Sequence, residues 1–428
     1  MNILVIGSGG REHALCHALR KTSTRPLNLF CAPGNPGIAQ TATLISLGPT
    51  ETGKLASFAE ERAIDLTIVG GEAPLAVGIV DEFTARGLLI AGAPRSAARL
   101  ESSKAFAKDF MRRHHIPTAR YSIADSPQEA SEILRRGEFG NEDAPVVVKA
   151  DGLAAGKGVI VARSRAEALQ AIEDLMVHHS AGAEAARRVV LEEALEGPEA
   201  SLLLFTDGEG YALMPPARDH KRVGEGDTGP NTGGMGAITD RSVIDDETLA
   251  RARREIIEPT LRGARLDGLP FRGVLFIGLM LTADGPRVLE YNVRFGDPEA
   301  QAILIRLESD LVDIFERIAR GRGLDESEVS WKEASSACVV LAARGYPARP
   351  ETGARIDGLE QAAQHEGVEI FHAGTARDAE GNWLTGGGRV LGVTATAPDL
   401  DDALRRCYDS IRELSWDGMH YRRDIGRF

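Results

Sequence analysis

Pro145-Val-Val-Val-Lys-Ala-Asp-Gly-Leu-Ala-Ala-Gly-Lys-Gly-Val-Ile-Val-Ala162 is the stretch on which the reading of this chain turns. Its middle resembles a nucleotide P-loop. However, three residues instead of four separate Gly152 from Gly156, and Gly158 stands where such a loop needs a Ser or Thr for Mg. Apolar runs at 146–150 and 159–162 flank it, so the loop joins two strands and does not open a helix. A hairpin loop of Gly and Ala can fold its amides over a triphosphate, whereas a plain turn has little use for three glycines and two alanines. Lys149 ends the first strand, where an ammonium can reach a phosphate while its stem packs along the sheet.

Upstream, the first hundred residues alternate short apolar runs (3–6, 27–30, 66–69, 88–91) with helical patterns (11–21, 54–62, 74–86). Such alternation predicts a parallel sheet with right-handed crossovers and a ligand at the strand C-termini. The loops there are Gly7-Ser-Gly-Gly10, Ala32-Pro-Gly-Asn35 and Gly70-Gly-Glu-Ala-Pro74. The first is not a dinucleotide fingerprint: its third glycine would fall at Glu12, and no acidic residue follows the second strand to hold a ribose diol. An NAD oxidoreductase is therefore disfavoured. What remains is a helix N-terminus at Gly10 and Arg11, suited to a phosphate monoester. Lys104, after Ser102-Ser103, opens a helix expected to run to about residue 117 and offers a second cation.

Downstream, Leu289-Glu-Tyr-Asn-Val-Arg294 reads as a strand on which Glu290, Asn292 and Arg294 share a face. A carboxylate and a carboxamide oxygen suit Mg, and Arg294 offers a fork for a substrate carboxylate. Arg218-Asp-His-Lys-Arg222 and Gly229-Pro-Asn-Thr-Gly-Gly-Met-Gly236 form the densest polar, glycine-rich stretch, with Asp219 and His220 as candidate bases. Residues 320–328 read as a linker, and short strands at 337–343, 368–371 and 390–396 suggest a small α+β domain. With 428 residues, two to four domains are expected. The net charge of −13 opposes binding to a phosphate backbone, so no nucleic-acid partner is expected. Four scattered cysteines without a Cys-x-x-Cys pair fit a reduced cytoplasmic protein, and no apolar run is long enough to span a membrane.

Taken together, the loop with Lys149, the distant Lys104, Leu191-Glu-Glu-Ala-Leu195 and the Glu290/Asn292 pair resemble the ATP-grasp superfamily. Five segments are similar to its glycinamide ribonucleotide synthetase (phosphoribosylamine–glycine ligase) family. They are Gly7-Ser-Gly-Gly-Arg-Glu-His-Ala14; Ser102-Ser-Lys-Ala-Phe106; 149–158; Asp219-His-Lys-Arg222 with 229–236; and Asn292-Val-Arg-Phe-Gly-Asp-Pro-Glu299. Glu225-Gly-Asp227 and Tyr291 depart mildly from the Asp-Gly-Asp and Phe expected there. Other carboxylate-activating purine ligases, formate- or bicarbonate-dependent, should lack 229–236 and 294–298 together. A nucleotide-sensing protein without turnover would have no need of the metal pair and both lysines.

The resemblance implies an α/β and α+β multidomain fold. A Rossmann-like pre-ATP-grasp domain would cover 1–102, an ATP-grasp core with a lid at about 120–190 would cover 103–325, and a C-terminal α+β domain 326–428. It implies a ligase that joins glycine to 5-phosphoribosylamine with ATP and Mg2+ (or Mn2+), through glycyl phosphate, as a cytoplasmic monomer. By the same resemblance Lys104, Lys149, Gly152, Gly156, Lys157 and Gly158 would hold the triphosphate. Glu192, Glu193 and Leu195 would belong to the hinge whose backbone reads adenine, with Glu199 at the ribose. Gly9, Gly10, Arg11, Glu72, Arg294 and Asp297 would bind substrate, Arg294, Asp219, His220 and Lys221 would act in catalysis, and Glu290 and Asn292 would bind metal.

Overall fold

The computed structural model describes residues 1–154 and 158–427. Its first unit is a parallel sheet in the order Thr43–Leu44, Asn28–Pro33, Asn2–Gly7, Leu66–Val69, Ile90–Ala91. Alternate residues of the central strand enter two cores, Leu4 and Ile6 on one side and Ile3 and Val5 on the other. The two-residue strand Thr43–Leu44 is exposed and too short to leave an apolar signature. The helix expected at 74–86 is split into Glu72–Ala76 and Ile79–Ala85 by Gly78, whose φ of +88° breaks the helical path. The helix opened by Lys104 stops at Arg113, short of the expected 117, as His115 turns to φ 55° ahead of Pro117.

A four-stranded antiparallel sheet follows, ordered Tyr121–Ala124, Val189–Glu193, Val146–Ala150, Val159–Ala162. Helices Pro127–Arg135 and Arg165–Ile172 cover it, and Val148, Leu191, Ile133 and Leu175 belong to a core of its own. The two strands predicted around the glycine loop have the predicted bounds and pair as a hairpin. This unit leans on the rest of the chain where the Thr118 hydroxyl donates to Val288 O at 2.6 Å and Val288 N donates to Pro117 O at 2.8 Å.

The largest sheet is antiparallel, in the order Gly285–Asn292, Gly273–Thr282, Glu199–Thr206, Ala217–Asp219, Gly236–Thr239, Ser335–Ala342, Arg389–Ala397, Val368–His372. The last three strands belong to the segment read as a separate α+β domain. They continue the preceding sheet without a break, because Gly236–Thr239 pairs directly with Ser335–Ala342. Both strands are buried along their length, so an unpaired edge there would leave backbone groups without partners. The expected linker is not loose. Arg253 grips Glu326 with two hydrogen bonds of 2.7 and 2.8 Å, and Gly323 N donates to Asp207. The cores flanking the first sheet extend through Leu202 and Leu204 on one face of the large sheet and Leu203 and Phe205 on the other. All four cysteines are free and buried, and among the described residues no helix is long and apolar enough to cross a membrane.

Candidate active site

The groove between the four-stranded sheet and the large sheet gathers charges from distant parts of the chain. Lys149 donates to Leu289 O at 3.2 Å, tying the glycine-loop hairpin to the strand that carries Glu290. Lys104 donates to Gly152 O at 3.2 Å, and Gly152 N is held by Ala185 O. Gly158 closes the far end of the described loop; Gly156 and Lys157 lie outside the described residues. The Glu290 carboxylate faces Lys221, Lys149, Lys104 and Arg294. Burial pushes its pKa up, but these four cations more than offset that, and it is held below the usual carboxylate value. Lys104, in turn, is lowered by burial and by Lys149, despite the opposing pull of Glu290. The ammonium groups and the carboxylate thus lie within one another's electrostatic reach.

Strand alternation explains the remaining partners. Asp219 ends its strand, the pairing continues through His220 to Gly236 and Met235, and Lys221 beyond it reaches Glu199 at 2.6 Å. Burial lowers the Lys221 pKa, but Glu199, Glu290 and Asp219 together raise it well above the ordinary lysine value, so it stays cationic. Asp219 is the opposite case: burial and Glu299 raise its pKa well above the aspartate norm, and its Oδ1 has no hydrogen-bond partner among the described residues. His220 turns the other way. Its Nε2 accepts from Gly426 N at 2.8 Å, and burial lowers its pKa to about 4, which sets the imidazole away from the groove and corrects its expected role as a base.

Glu192, expected at an adenine hinge, has its side chain buried between two lysines: Lys149 at 2.9 Å and Lys108 at 2.9 Å. Lys108 and Glu192 are each only 2% exposed and Lys149 9%. Lys108 also donates to Thr118 Oγ1 at 2.7 Å, and burial lowers its pKa to about 8 even with Glu192 beside it. Sequence reasoning missed Lys108, although it lies one helical turn after Lys104 on the same face. Glu193 is committed to the other side, its carboxylate accepting from Arg120 N at 2.8 Å and Nε at 2.6 Å, and its own N donating to Arg120 O. That pairing fixes the side chain and the N–H of Glu193 and leaves its backbone carbonyl, the group expected to face adenine, outside the pair. Beyond it the chain leaves the strand with Leu195 half-buried.

A second cluster lies where the first sheet meets the large one. Arg294 spans Glu101 at 2.7 Å and Glu72 at 3.3 Å, and reaches Asn292 Oδ1 at 3.4 Å. It is therefore not the open fork expected; its charge balances two carboxylates that a sequence reading had no means of bringing together. Burial and Glu72 raise the Glu101 pKa despite Arg294, while Arg294 and Arg11 hold Glu72 low against its own burial. Glu12, the residue that spoils the dinucleotide fingerprint, folds back to cap the helix. Its Oε2 accepts from Gly9 N at 2.6 Å and its Oε1 from Arg11 Nε at 2.7 Å. A Cβ on Gly70 would stand 2.2 Å from that carboxylate, which accounts for the glycine. The Gly9 amide expected to face a phosphate is thus already taken, while Gly10 packs on Gln301. Asp297 accepts from Gln301 at 2.8 Å and pairs with Arg389 at 3.2 Å; these and Arg11 keep it ionised against its burial. Arg389 and Gln301 carried no local signal in the sequence.

Among the described residues no three His, Cys, Asp or Glu side chains form a self-sufficient metal cage. Glu290 and Asn292 present two hard oxygens beside four cations, a set that fits a Mg ion whose other positions belong to water and phosphate.

A sheet carrying a carboxylate and a carboxamide, faced by a hairpin with Lys149 and by the helix that opens at Lys104, defines an ATP-grasp ligase. The chain belongs to the phosphoribosylglycinamide synthetase family: it matches that family's N domain over residues 1–101, its ATP-grasp (A) domain over 102–300 and its C domain over 336–428. It is 47% identical over 430 residues to the phosphoribosylamine–glycine ligase of Brucella melitensis biotype 1, covering 100% of this chain and 97% of the relative. A crystal structure of the phosphoribosylamine–glycine ligase of Thermotoga maritima superposes with a TM-score of 0.85 at 34% identity, covering 99% of this chain and 100% of that one. The biotin carboxylase domain of Hydrogenobacter thermophilus 2-oxoglutarate carboxylase, solved with MgADP and bicarbonate, shares the fold alone. Its TM-score is 0.73 at 17% identity, with 98% of this chain and 91% of that one covered.

Proposed function

We propose that this chain joins glycine to 5-phosphoribosylamine at the expense of ATP, a step of purine biosynthesis, and that it works as a cytoplasmic monomer. The observation that carries the reading is the gathering of Lys149 and Arg294 on the strand of Glu290 and Asn292, through Leu289 O and Asn292 Oδ1, with Lys104 on Gly152 O of the facing loop.

Amide formation from a carboxylate needs a leaving group better than oxide. A glycine carboxylate oxygen forms a bond to the γ-phosphorus, the bond to the β,γ-bridging oxygen breaks, and ADP departs with the electron pair. The ribosyl amine then adds to the carbonyl carbon of glycyl phosphate, phosphate leaves, and the nitrogen gives up a proton. Lys104 and Lys149 bind the phosphates and stabilise the negative charge that shifts toward ADP. Glu290 and Asn292 would hold Mg2+ or Mn2+, which when bound neutralises phosphate oxygens. Lys221 keeps Glu199 and Glu290 oriented, and Arg294 lies between the metal pair and Glu72, where the glycine and ribosyl substrates meet. Glu72 suits the ribose hydroxyls, and Gly10 and Arg11 the substrate phosphate. The glycine loop excludes water from the acyl phosphate.

The test is ADP release by purified protein with Mg and ATP. Release should require both glycine and 5-phosphoribosylamine for full turnover, and ADP formation indifferent to either one would refute the substrates.

A further inference from the structure

We infer that residues 420–427 form a clamp on the back of the nucleotide groove, with Arg422 and His220 as positioning residues that hold Asp219 and Lys221 in place. Arg422 is only 1% exposed yet carries a full charge. Its guanidinium donates to both oxygens of Asp424 at 2.8 Å, to Asp227 at 2.6 Å and to Arg222 O at 3.1 Å. Asp424 in turn accepts from Gly226 N at 2.8 Å, and His420 Nε2 lies 2.8 Å from Val223 O. Every one of these contacts lands on the 220–227 ribbon or on the segment itself. On the other side, His420 exchanges backbone hydrogen bonds with Ala342, anchoring the segment to the large sheet.

The ribbon leaves the strand that ends in Asp219, and there the clamp reaches the site. Gly426 N donates to His220 Nε2, and Ile425, buried, lies where a Cβ on Gly236 would come within 2.8 Å of it. His220 N and O pair with Gly236 O and Met235 N at 2.8 Å each, so the strand alternation persists through this residue. An imidazole pinned from behind therefore fixes the neighbours at i−1 and i+1, Asp219 toward Glu299 and Lys221 toward Glu199, with which it pairs at 2.6 Å. A buried arginine with three separate acceptors is a costly means of tethering a short segment. Its geometry constrains the ribbon more than a hydrophobic plug would.

The inference rests on the proposed function only in placing the nucleotide beside Lys221. The test uses Arg422→Gln, His220→Leu and His220→Gln in the full chain, the last retaining an acceptor near the Nε2 position. Two readings are taken: equilibrium binding of MgADP, and hydrogen exchange of peptides spanning 217–224. Arg422→Gln and His220→Leu should weaken MgADP binding at least tenfold and speed exchange in that segment, while His220→Gln stays within threefold of the parent. Folded Arg422→Gln and His220→Leu proteins with parental MgADP affinity would overturn the clamp. Equal losses in all three variants, tracking only a lower melting temperature, would overturn it too. Should Arg422→Gln not fold, Asp227→Asn at the exposed end of the network carries the test, and unchanged affinity and exchange there count against the proposal. A parent that binds MgADP but makes no glycine-dependent ADP would sink the proposed function and leave the clamp standing.

Discussion

Changing Glu192 to Gln leaves the shape of the side chain but removes the carboxylate between Lys108 and Lys149. Two contacts of 2.9 Å lose their charge, in surroundings where Lys108 and Glu192 are 2% exposed and Lys149 9%. Breaking a buried ion pair by removing one partner costs about 3–5 kcal/mol, since the survivor keeps its desolvation penalty without its counter-charge. For a cooperative unit of 150–250 residues, that corresponds to a melting point lower by roughly 6–20 °C. The deficit should also depend on pH. A lysine stranded without its anion sheds its proton at lower pH than one that keeps it, so the folded variant binds fewer protons than the folded parent while the unfolded chains match. The variant's stability therefore rises more steeply with pH, and its deficit shrinks between pH 7 and 9. Urea unfolding followed by circular dichroism at both pH values measures this. A variant within about 1 kcal/mol of the parent at pH 7, or a deficit that widens with pH, would refute the account of Glu192 as the shared counter-ion.

Glu290→Gln should retain the circular dichroism spectrum of the parent while glycine-dependent ADP release falls by two to three orders of magnitude, roughly the loss seen when one electrostatic contact to the transition state is removed. Gly70→Ala places a Cβ 2.2 Å from Glu12 and should cost about 1–3 kcal/mol in urea. Gly53→Ala, in the helix Thr52–Glu61 with only Arg86 within 4 Å, should be neutral or stabilising by up to about 1 kcal/mol. His13 and His372 meet at the joint of the first and last units, where His13 Nδ1 accepts from His372 N at 2.8 Å; burial lowers their pKa values to about 3 and about 4. Both are neutral when folded, so stability is complete above the unfolded value of 6.5 and is lost as pH falls from there toward 4. His372 alone contributes about 3 kcal/mol of this. His372→Gln should flatten the acid limb of a stability–pH curve, and an unchanged limb would count against this assignment.

Much of the fold could be read because period and punctuation were strong. The runs at 146–150 and 159–162 around the glycine loop, and the run at 66–69, match their strands to the residue. Lys104 and Lys149 stood out because each lies at or next to an element end, and Glu290 because it alternates with Asn292 along one strand. The site's counter-ions were not. Glu101, Lys108 and Arg389 sit on ordinary helix or strand positions, and only tertiary packing reveals that they face other charges (Arg294, Glu192 and Asp297) across 84 to 193 residues. His220 misled for a related reason. A histidine between two groove-facing residues looks catalytic in one dimension, while the pleat turns it to the opposite face. The last three strands were seen, but their pairing with Gly236–Thr239 depends on a partner about a hundred residues upstream that no local pattern encodes.

That pairing has a consequence for anyone dividing the protein at its domain boundaries. A piece ending near residue 300 would present Gly236–Thr239 as a raw, apolar β-edge, and the complementary piece would present Ser335–Ala342 in the same state. Each is a template for self-association, so the two halves should precipitate apart and become soluble only when produced together.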